Sequence, residues 1–379
     1  MRREVFAFVL VSLMSILPAY AQSTIKIGGL LETSGPLASL GKPGLEGAQL
    51  AVDEANAKDG INGKKIEFIN VNTESDTNKA VSAAKRLIEQ DEVTALVGAM
   101  NSGSSYSIID TVQQAMVPVI ANGGSRGIVL PSDKKPWIFL APLTDVLVQS
   151  VMMKDMQKKG IKKIALLNVD SGFGTSGRGE LEKHAADYGI TIVAQETFGS
   201  GDPDMTPQLT KIRASDAEAT VVWATGPGQA IATKNYRQLD IKVPLYLSHA
   251  ANDFNYLRLA GAAADGILIP SSKLYVVDEL AGTDPQKDVI RNFSDKYEKK
   301  YGQKPATFAG NGYDAMKMLI AAIQSAGNDK AKIRDAIEST KDFVGVTAVY
   351  SYSPVDHFGA QESSVILLSV RDGKFVVAK

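Results

Sequence analysis

The sequence predicts an α/β protein of two lobes, each built on a largely parallel sheet, with the chain passing between them more than once. Three observations lead there. Short apolar runs of strand length alternate with helical patterns along most of the chain, the order expected when helices cover a parallel sheet. A chain of 379 residues exceeds what one hydrophobic core usually organises. Two of the apolar runs, ending at Gly98 and at Ala121, empty into clusters of Ser, Gly and Asn, and open α/β sheets take up ligands outside such strand ends.

Taken in order, residues 25–31 read as a strand broken at Ser34-Gly35-Pro36. Ala48, Ala51, Val52 and Ala55 then mark one face of a helix that stops at Asp59-Gly60, and a strand follows at residues 65–71. A helix from Thr77 turns Val81, Ala84, Leu87 and Ile88 inward, and residues 94–97 form the next strand. Ser102 to Ser105 sit where a helix begins, so hydroxyls and unpaired N–H groups converge on one spot that favours an anion. After the strand ending at Ala121 comes a polar stretch between Pro131 and Pro136, then a strand at 137–140 and a crossing at Ala141-Pro142. Helices to Lys159 and Tyr188, followed by Gly160 and Gly189 as C-caps, alternate with strands at 163–169 and 191–197. The series continues with helices at 206–215 and 228–239 and strands at 219–224, 244–247 and 266–269, up to a second crossing at Pro270-Ser271. Helices at 288–301, 307–326 and 329–339 and a β-rich tail from Ala348 close the chain.

Composition excludes several functions. The 41 basic and 42 acidic residues leave a net charge of -1 with no long basic run, so no nucleic-acid footprint is expected. Cysteine is absent, which removes disulfides, thiolate metal sites and a Cys nucleophile; three well-separated histidines, His184, His249 and His357, do not suggest zinc. Neither a cofactor nor a metal is expected. Arg2 and Arg3, the apolar run from Val5 to Leu17, and Ala19-Tyr20-Ala21 before Gln22 have the form of a secretory signal peptide cut after Ala21. That run is too short to span a bilayer, and no cysteine follows it to carry a lipid, so the expected location is free in the periplasm.

Two motifs invite enzymatic readings. Gly172-Phe173-Gly174-Thr175-Ser176-Gly177 matches G-x-G-x-x-G with Glu196 at the ribose-binding distance. Its place in mid-chain, and Asp170-Ser171 between it and the strand, favour a mobile cleft loop presenting Phe173 instead. Gly123-Gly124-Ser125-Arg126-Gly127 matches G-x-S-x-G, but the chain soon reaches Pro131 instead of entering a long helix. A tight turn presenting N–H groups and a hydroxyl is the simpler reading. Arg126 could pair with a carboxylate, and His249 lies at the mouth of a second-lobe strand.

Ile25-Lys26-Ile27-Gly28-Gly29-Leu30, Ser34-Gly35-Pro36, Gly44-x-x-Gly47-Ala48, Asp53-Glu54-Ala55-Asn56 and Gly60-Ile61-Asn62-Gly63-Lys64 resemble the start of the leucine/isoleucine/valine-binding proteins. The likeness continues through Val97-Gly98, Phe173-Gly174 and Gly312-Tyr313-Asp314-Ala315. These proteins are extracytoplasmic receptors of ABC importers. The resemblance implies a type I periplasmic-binding-protein fold, two Rossmann-like lobes joined by three crossings. Lobe 1 would hold residues 24–141 and 272–348, and lobe 2 residues 142–271 and 349–379. It also implies a ligand carboxylate held by Ser102, Gly123 and Ser125, covered by Phe173 and Thr225, with Leu40 and Phe308 walling the rest of the pocket. The partner implied is an ABC permease in the inner membrane, and the receptor itself is expected to be a monomer.

Where family members that take α-amino acids place an acidic residue against the ammonium, this sequence has His249, and no carboxylate lies between Asp240 and Asp253. A buried ammonium without a counter-charge costs several kcal/mol. The expected ligand is therefore a small hydrophobic carboxylate without an α-amine, of the benzoate, hydroxycinnamate or aryl keto acid type. Leucine, isoleucine, valine or another amino acid is the alternative, and a sensory receptor or a periplasmic hydrolase is more distant.

Overall fold

Near-continuous burial of the inner strands, with helices on both faces, is what a parallel sheet requires, and the computed structural model, which describes residues 24–379, shows it twice. The proposed leader lies outside the described residues. In the first lobe, β1 (Ile25–Leu30), β2 (Ile66–Asn70), β3 (Ala95–Gly98), β4 (Val119–Ala121) and β5 (Ile138–Leu140) pair in parallel in the order β2-β1-β3-β4-β5. Between them run α1 (Ala38–Asn56), α2 (Thr77–Glu89), α3 (Ser102–Ser107) and α4 (Ile109–Ala115).

The second lobe repeats the winding. After α5 (Asp145–Lys158) come β6 (Lys163–Asp170), α6 (Gly172–His184), β7 (Thr191–Gly199), α7 (Thr206–Arg213), β8 (Ala219–Trp223), α8 (Gly228–Gln238), β9 (Leu245–Leu247), α9 (Phe254–Ala260) and β10 (Leu268–Ser271). Their sheet runs β7-β6-β8-β9-β10 and is extended at its edge by two antiparallel strands from the end of the chain. Each lobe thus reverses its strand order beside its first strand, β1 or β6, and ligands bind outside the carboxyl ends of strands at such a point.

The chain returns to the first lobe with α10 (Lys287–Tyr301), α11 (Thr307–Ala326) and α12 (Lys330–Glu338). The family-like glycines are explained by packing. A Cβ at Gly47 would lie 1.9 Å from Ala309 O, and one at Gly312 would lie 2.0 Å from Gly44 O. Only bare backbone lets α1 and α11 approach this closely, and the contact fixes the start of α11, which carries Phe308. Asp314, one turn past Asn311 on α11, is buried and accepts from Val346 N at 2.7 Å, Thr347 N at 2.8 Å and Thr347 Oγ1 at 2.6 Å. Those bonds tie the hairpin β11 (Phe343–Val344) and β12 (Val349–Tyr350) to the helix.

The chain passes between the two sheets at 141–144 and again at 270–272. The third crossing is displaced. Residues 349–361, expected to open the last piece of lobe 2, keep to the first sheet: Tyr352 Oη donates to Leu140 O at 2.7 Å, and Leu140 N donates to His357 O at 2.9 Å. The chain rejoins the second sheet only at β13 (Ile366–Arg371) and β14 (Lys374–Val377).

Candidate functional site

The carboxyl ends of β3 and β4 face those of β6, β8 and β9 across a cavity between the lobes. It is lined by Ser102, Leu40 and Phe308 from the first lobe and by Phe173, Thr225 and His249 from the second. The space between the walls measures about 30 Å³, less than a single ring occupies. No Asp, Glu, Lys or Arg is among the lining residues.

On the first-lobe side, Asn101 caps α3. Its Oδ1 accepts from Ser104 N at 2.8 Å, while its Nδ2 donates to Glu32 Oε1 and to Ser104 Oγ, each at 3.0 Å. This cap sets Ser102 at the first helical position, where its buried Oγ has no partner among the described residues. Burial raises Glu32 above the ordinary carboxylate range. It stands behind Asn101 and does not line the cavity.

Gly123 and Ser125 are not brought to the cavity; the glycine between them, Gly124, is. Gly123 packs under the start of α3, where a Cβ would lie 2.9 Å from Ser102 Cα, and Ser125 is fully buried behind it. Arg126 also stands away from the cavity. Its N–H donates to Asp145 Oδ1 at 3.1 Å and its guanidinium lies 5.3 Å from the Phe358 ring centroid. Asp145 additionally accepts from Ser176 Oγ at 2.5 Å, and burial pushes it up to about 6.

The G-x-G-x-x-G stretch is the first turn and a half of α6 and not a mobile loop. Ser171 caps it, accepting from Gly174 N at 3.2 Å. Its last glycine is a packing residue: a Cβ at Gly177 would lie 1.9 Å from Trp223 Nε1. The Phe173 ring stacks on Trp223 with centroids 5.3 Å apart, and His249 meets Phe173 edge-on at 5.5 Å and Trp223 at 5.9 Å. Such aromatic pairs add stability beyond the area they bury, so this wall is set before a ligand arrives. Burial pushes His249 down to about 4, which leaves the imidazole neutral at pH 7, with its Nδ1 buried and unpartnered.

Sequence reasoning missed three amides. Asn122, Asn252 and Asn311 line the same cavity, and each has a buried side-chain oxygen without a partner among the described residues. Buried polar atoms of this kind are uncommon in folded proteins and call for an explanation. Asn122 directly follows β4, within the Ser/Gly/Asn cluster already singled out. Asn311 lies three residues beyond Phe308 on α11, hence on the same face. Both signals were present in the sequence.

A profile of the periplasmic binding protein family matches residues 24–374. A Leu/Ile/Val-binding protein homolog 7 from Brucella abortus is 24% identical over 371 residues, covering 94% of this chain and 92% of the relative. Among solved structures, an extracellular ligand-binding receptor from Rhodopseudomonas palustris HaA2 superposes with a TM-score of 0.88 at 25% identity, covering 94% of this chain and all of that one. The branched-chain amino acid transporter substrate binding protein LivJ from Streptococcus pneumoniae, in complex with isoleucine, gives 0.81 at 29% identity, covering 94% of this chain and 99% of that one.

Proposed function

Because the chain belongs to the periplasmic binding protein family, whose members bind small molecules and work with ABC permeases, we propose that it clamps a small hydrophobic carboxylate lacking an α-ammonium. The class is an aromatic acid of the benzoate, hydroxycinnamate or aryl keto acid type. The chain is a receptor of the branched-chain amino-acid transporter type and not an enzyme. In this reading Ser102 Oγ and the backbone around Gly124 hold the carboxylate, while Leu40, Phe173, Thr225 and Phe308 enclose the body of the ligand. Closure of the second lobe over the first is then the signal to an inner-membrane permease, a population shift driven by contacts made only when the lobes meet. The receptor works as a monomer in the periplasm once its leader is removed after Ala21.

The observation that carries this reading is the charge-free wall opposite Ser102. The lining offers a neutral imidazole, amides and hydroxyls, and no carboxylate to balance an ammonium. About 1.4 kcal/mol of unbalanced charge already weakens binding tenfold.

A second reading, an α-amino acid ligand, is favoured by one feature. The unpartnered oxygens of Asn252 and Asn311 could receive hydrogens of an ammonium without a formal counter-charge. A thermal-shift panel of leucine, glutamate, benzoate, 4-hydroxybenzoate, 4-coumarate and phenylpyruvate on the mature protein separates the two. A specific ligand at 100 times its Kd adds about 2.7 kcal/mol of stability. A strong shift with leucine and none with the other acids removes the reading of a ligand without an α-ammonium.

A further inference from the structure

Among the amides that line the cavity, Asn252 differs in having its orientation fixed. Its Nδ2 donates to Pro270 O at 2.8 Å, in the last strand before the second crossing. The other side of the amide can therefore only be the oxygen, an acceptor with no hydrogen of its own. Asn252 is 1% exposed, and its Oδ1 is buried without a partner among the described residues.

The backbone of this residue is held as firmly as its side chain. Tyr275 Oη, on the chain that crosses between the lobes, donates to Asn252 O and accepts from Thr307 N at 3.0 Å. Thr307 itself lines the cavity at the start of α11. One tyrosine thus fastens a second-lobe wall residue to a first-lobe wall residue, and Asn252 cannot turn away to satisfy its oxygen elsewhere.

We propose that Asn252 selects, among small carboxylates, those carrying a neutral hydrogen-bond donor: the ligand is a hydroxy acid whose hydroxyl donates to Asn252 Oδ1. This rests on the carboxylate reading of the same site and narrows it. A keto acid or an unsubstituted aromatic acid has no hydrogen to offer and leaves the buried oxygen unpaired. A site built to receive a hydroxyl discriminates strongly against the analogue that lacks it, whereas a purely apolar pocket does not. Asn311, whose amide has no comparable anchoring bond, can present either face and adapts to what the hydroxyl leaves over.

The test is calorimetric titration of the mature protein with matched pairs: the three hydroxybenzoates against the three fluorobenzoates, and 3-phenyllactate against phenylpyruvate. Fluorine keeps size close and removes only the donor. The expected result is one hydroxylated acid that binds at least about tenfold tighter than its partner, with the ratio falling to within about threefold in Asn252→Leu. Equal binding within every pair in the unaltered protein overturns the role of Asn252, and that comparison does not depend on the variant folding. A ratio that persists in Asn252→Leu, or in Asn252→Ser where the larger change unfolds the chain, overturns it as well. Binding of leucine or phenylalanine with no binding of any of these acids overturns the ligand class and, with it, the hydroxy-acid role of Asn252, whereas equal binding within the pairs overturns that role alone.

Discussion

Gly124 of the first lobe stands so close to His249 of the second that a Cβ on the glycine would lie 2.7 Å from the imidazole Nε2 and 3.2 Å from a ring carbon of Phe173. The lobes meet where one of them offers no side chain. Gly124→Val should therefore fold normally, because its clash is with the opposite lobe and vanishes when the clamp opens. Ligand affinity should drop by about 10–100-fold, equivalent to about 1.4–2.8 kcal/mol of closure lost. Titration calorimetry checks the affinity, and an unchanged melting temperature without ligand checks that the lobes themselves are intact. Undiminished binding would show that the closed contact is not part of the bound state.

Ser102→Ala removes the unpartnered hydroxyl to which the proposed reading assigns the ligand carboxylate. Hydrogen bonds to charged groups contribute about 1.5–3 kcal/mol, so every acid in a panel should weaken by a similar factor of roughly 10–100. Losses confined to one ligand would assign Ser102 to selectivity instead of to the common carboxylate.

The pH dependence of stability should carry the mark of His249. Its ordinary value is 6.5, and burial in the closed site pushes it down to about 4. Between these values the unfolded chain binds a proton that the folded one refuses, so stability falls as pH drops from 7 toward 4. At pH 5 the loss is at most about 2 kcal/mol, reduced by whatever solvent reaches the ring. Asp145 and Asp314, each pushed up from 3.8 to about 6, act with the opposite sign, since the folded carboxyls keep protons that the unfolded chain releases. The useful quantity is thus the difference between the unaltered protein and His249→Phe, in which those carboxyls cancel. Urea unfolding at pH 8 and pH 5 should show that difference moving in favour of the variant on acidification. A difference independent of pH would mean the imidazole is not buried neutral.

How much of this was legible follows the physics of each element. Ser102, Phe173, Thr225 and His249 line the cavity, each just past the end of β3, β6, β8 or β9, where sheets of this class gather ligands; the strand pattern pointed to Ser102, Phe173 and His249, and the family resemblance alone to Thr225. Gly123 and Ser125 were displaced by one position because a tight turn alternates the direction of successive residues, and spacing alone does not say which faces out. The start of α1 was hidden by Pro43 inside the helix and by Leu37 in place of a capping side chain. Glycines at 172, 174 and 177 suggested a mobile loop, whereas packing against Trp223 explains the last of them. Asn252 was not legible at all. Its importance comes from Pro270 and Tyr275, 18 and 23 residues away, which fix its amide.

The close contact of α1 with α11 links stability to the site. Gly47→Ala would put a methyl group 1.9 Å from Ala309 O, a clash with backbone that no rotamer relieves. Overpacking of this kind costs about 1–3 kcal/mol. Because α11 carries Thr307, Phe308 and Asn311 into the cavity, affinity should weaken along with stability. Denaturant unfolding and titration on the same sample check both, and a stability loss with fully retained affinity would separate the helix contact from the site.

The central claim, that the site takes a carboxylate and has no counter-charge for an α-ammonium, is tested most directly by one matched comparison. Titration calorimetry at pH 7 of 3-phenyllactate against phenylalanine, and of 2-hydroxy-4-methylpentanoate against leucine, changes only hydroxyl for ammonium on the same skeleton. The charge-free wall around His249 predicts that at least one hydroxy acid binds about tenfold or more tighter than its amino acid. Tighter binding of the amino acid in both pairs would contradict it.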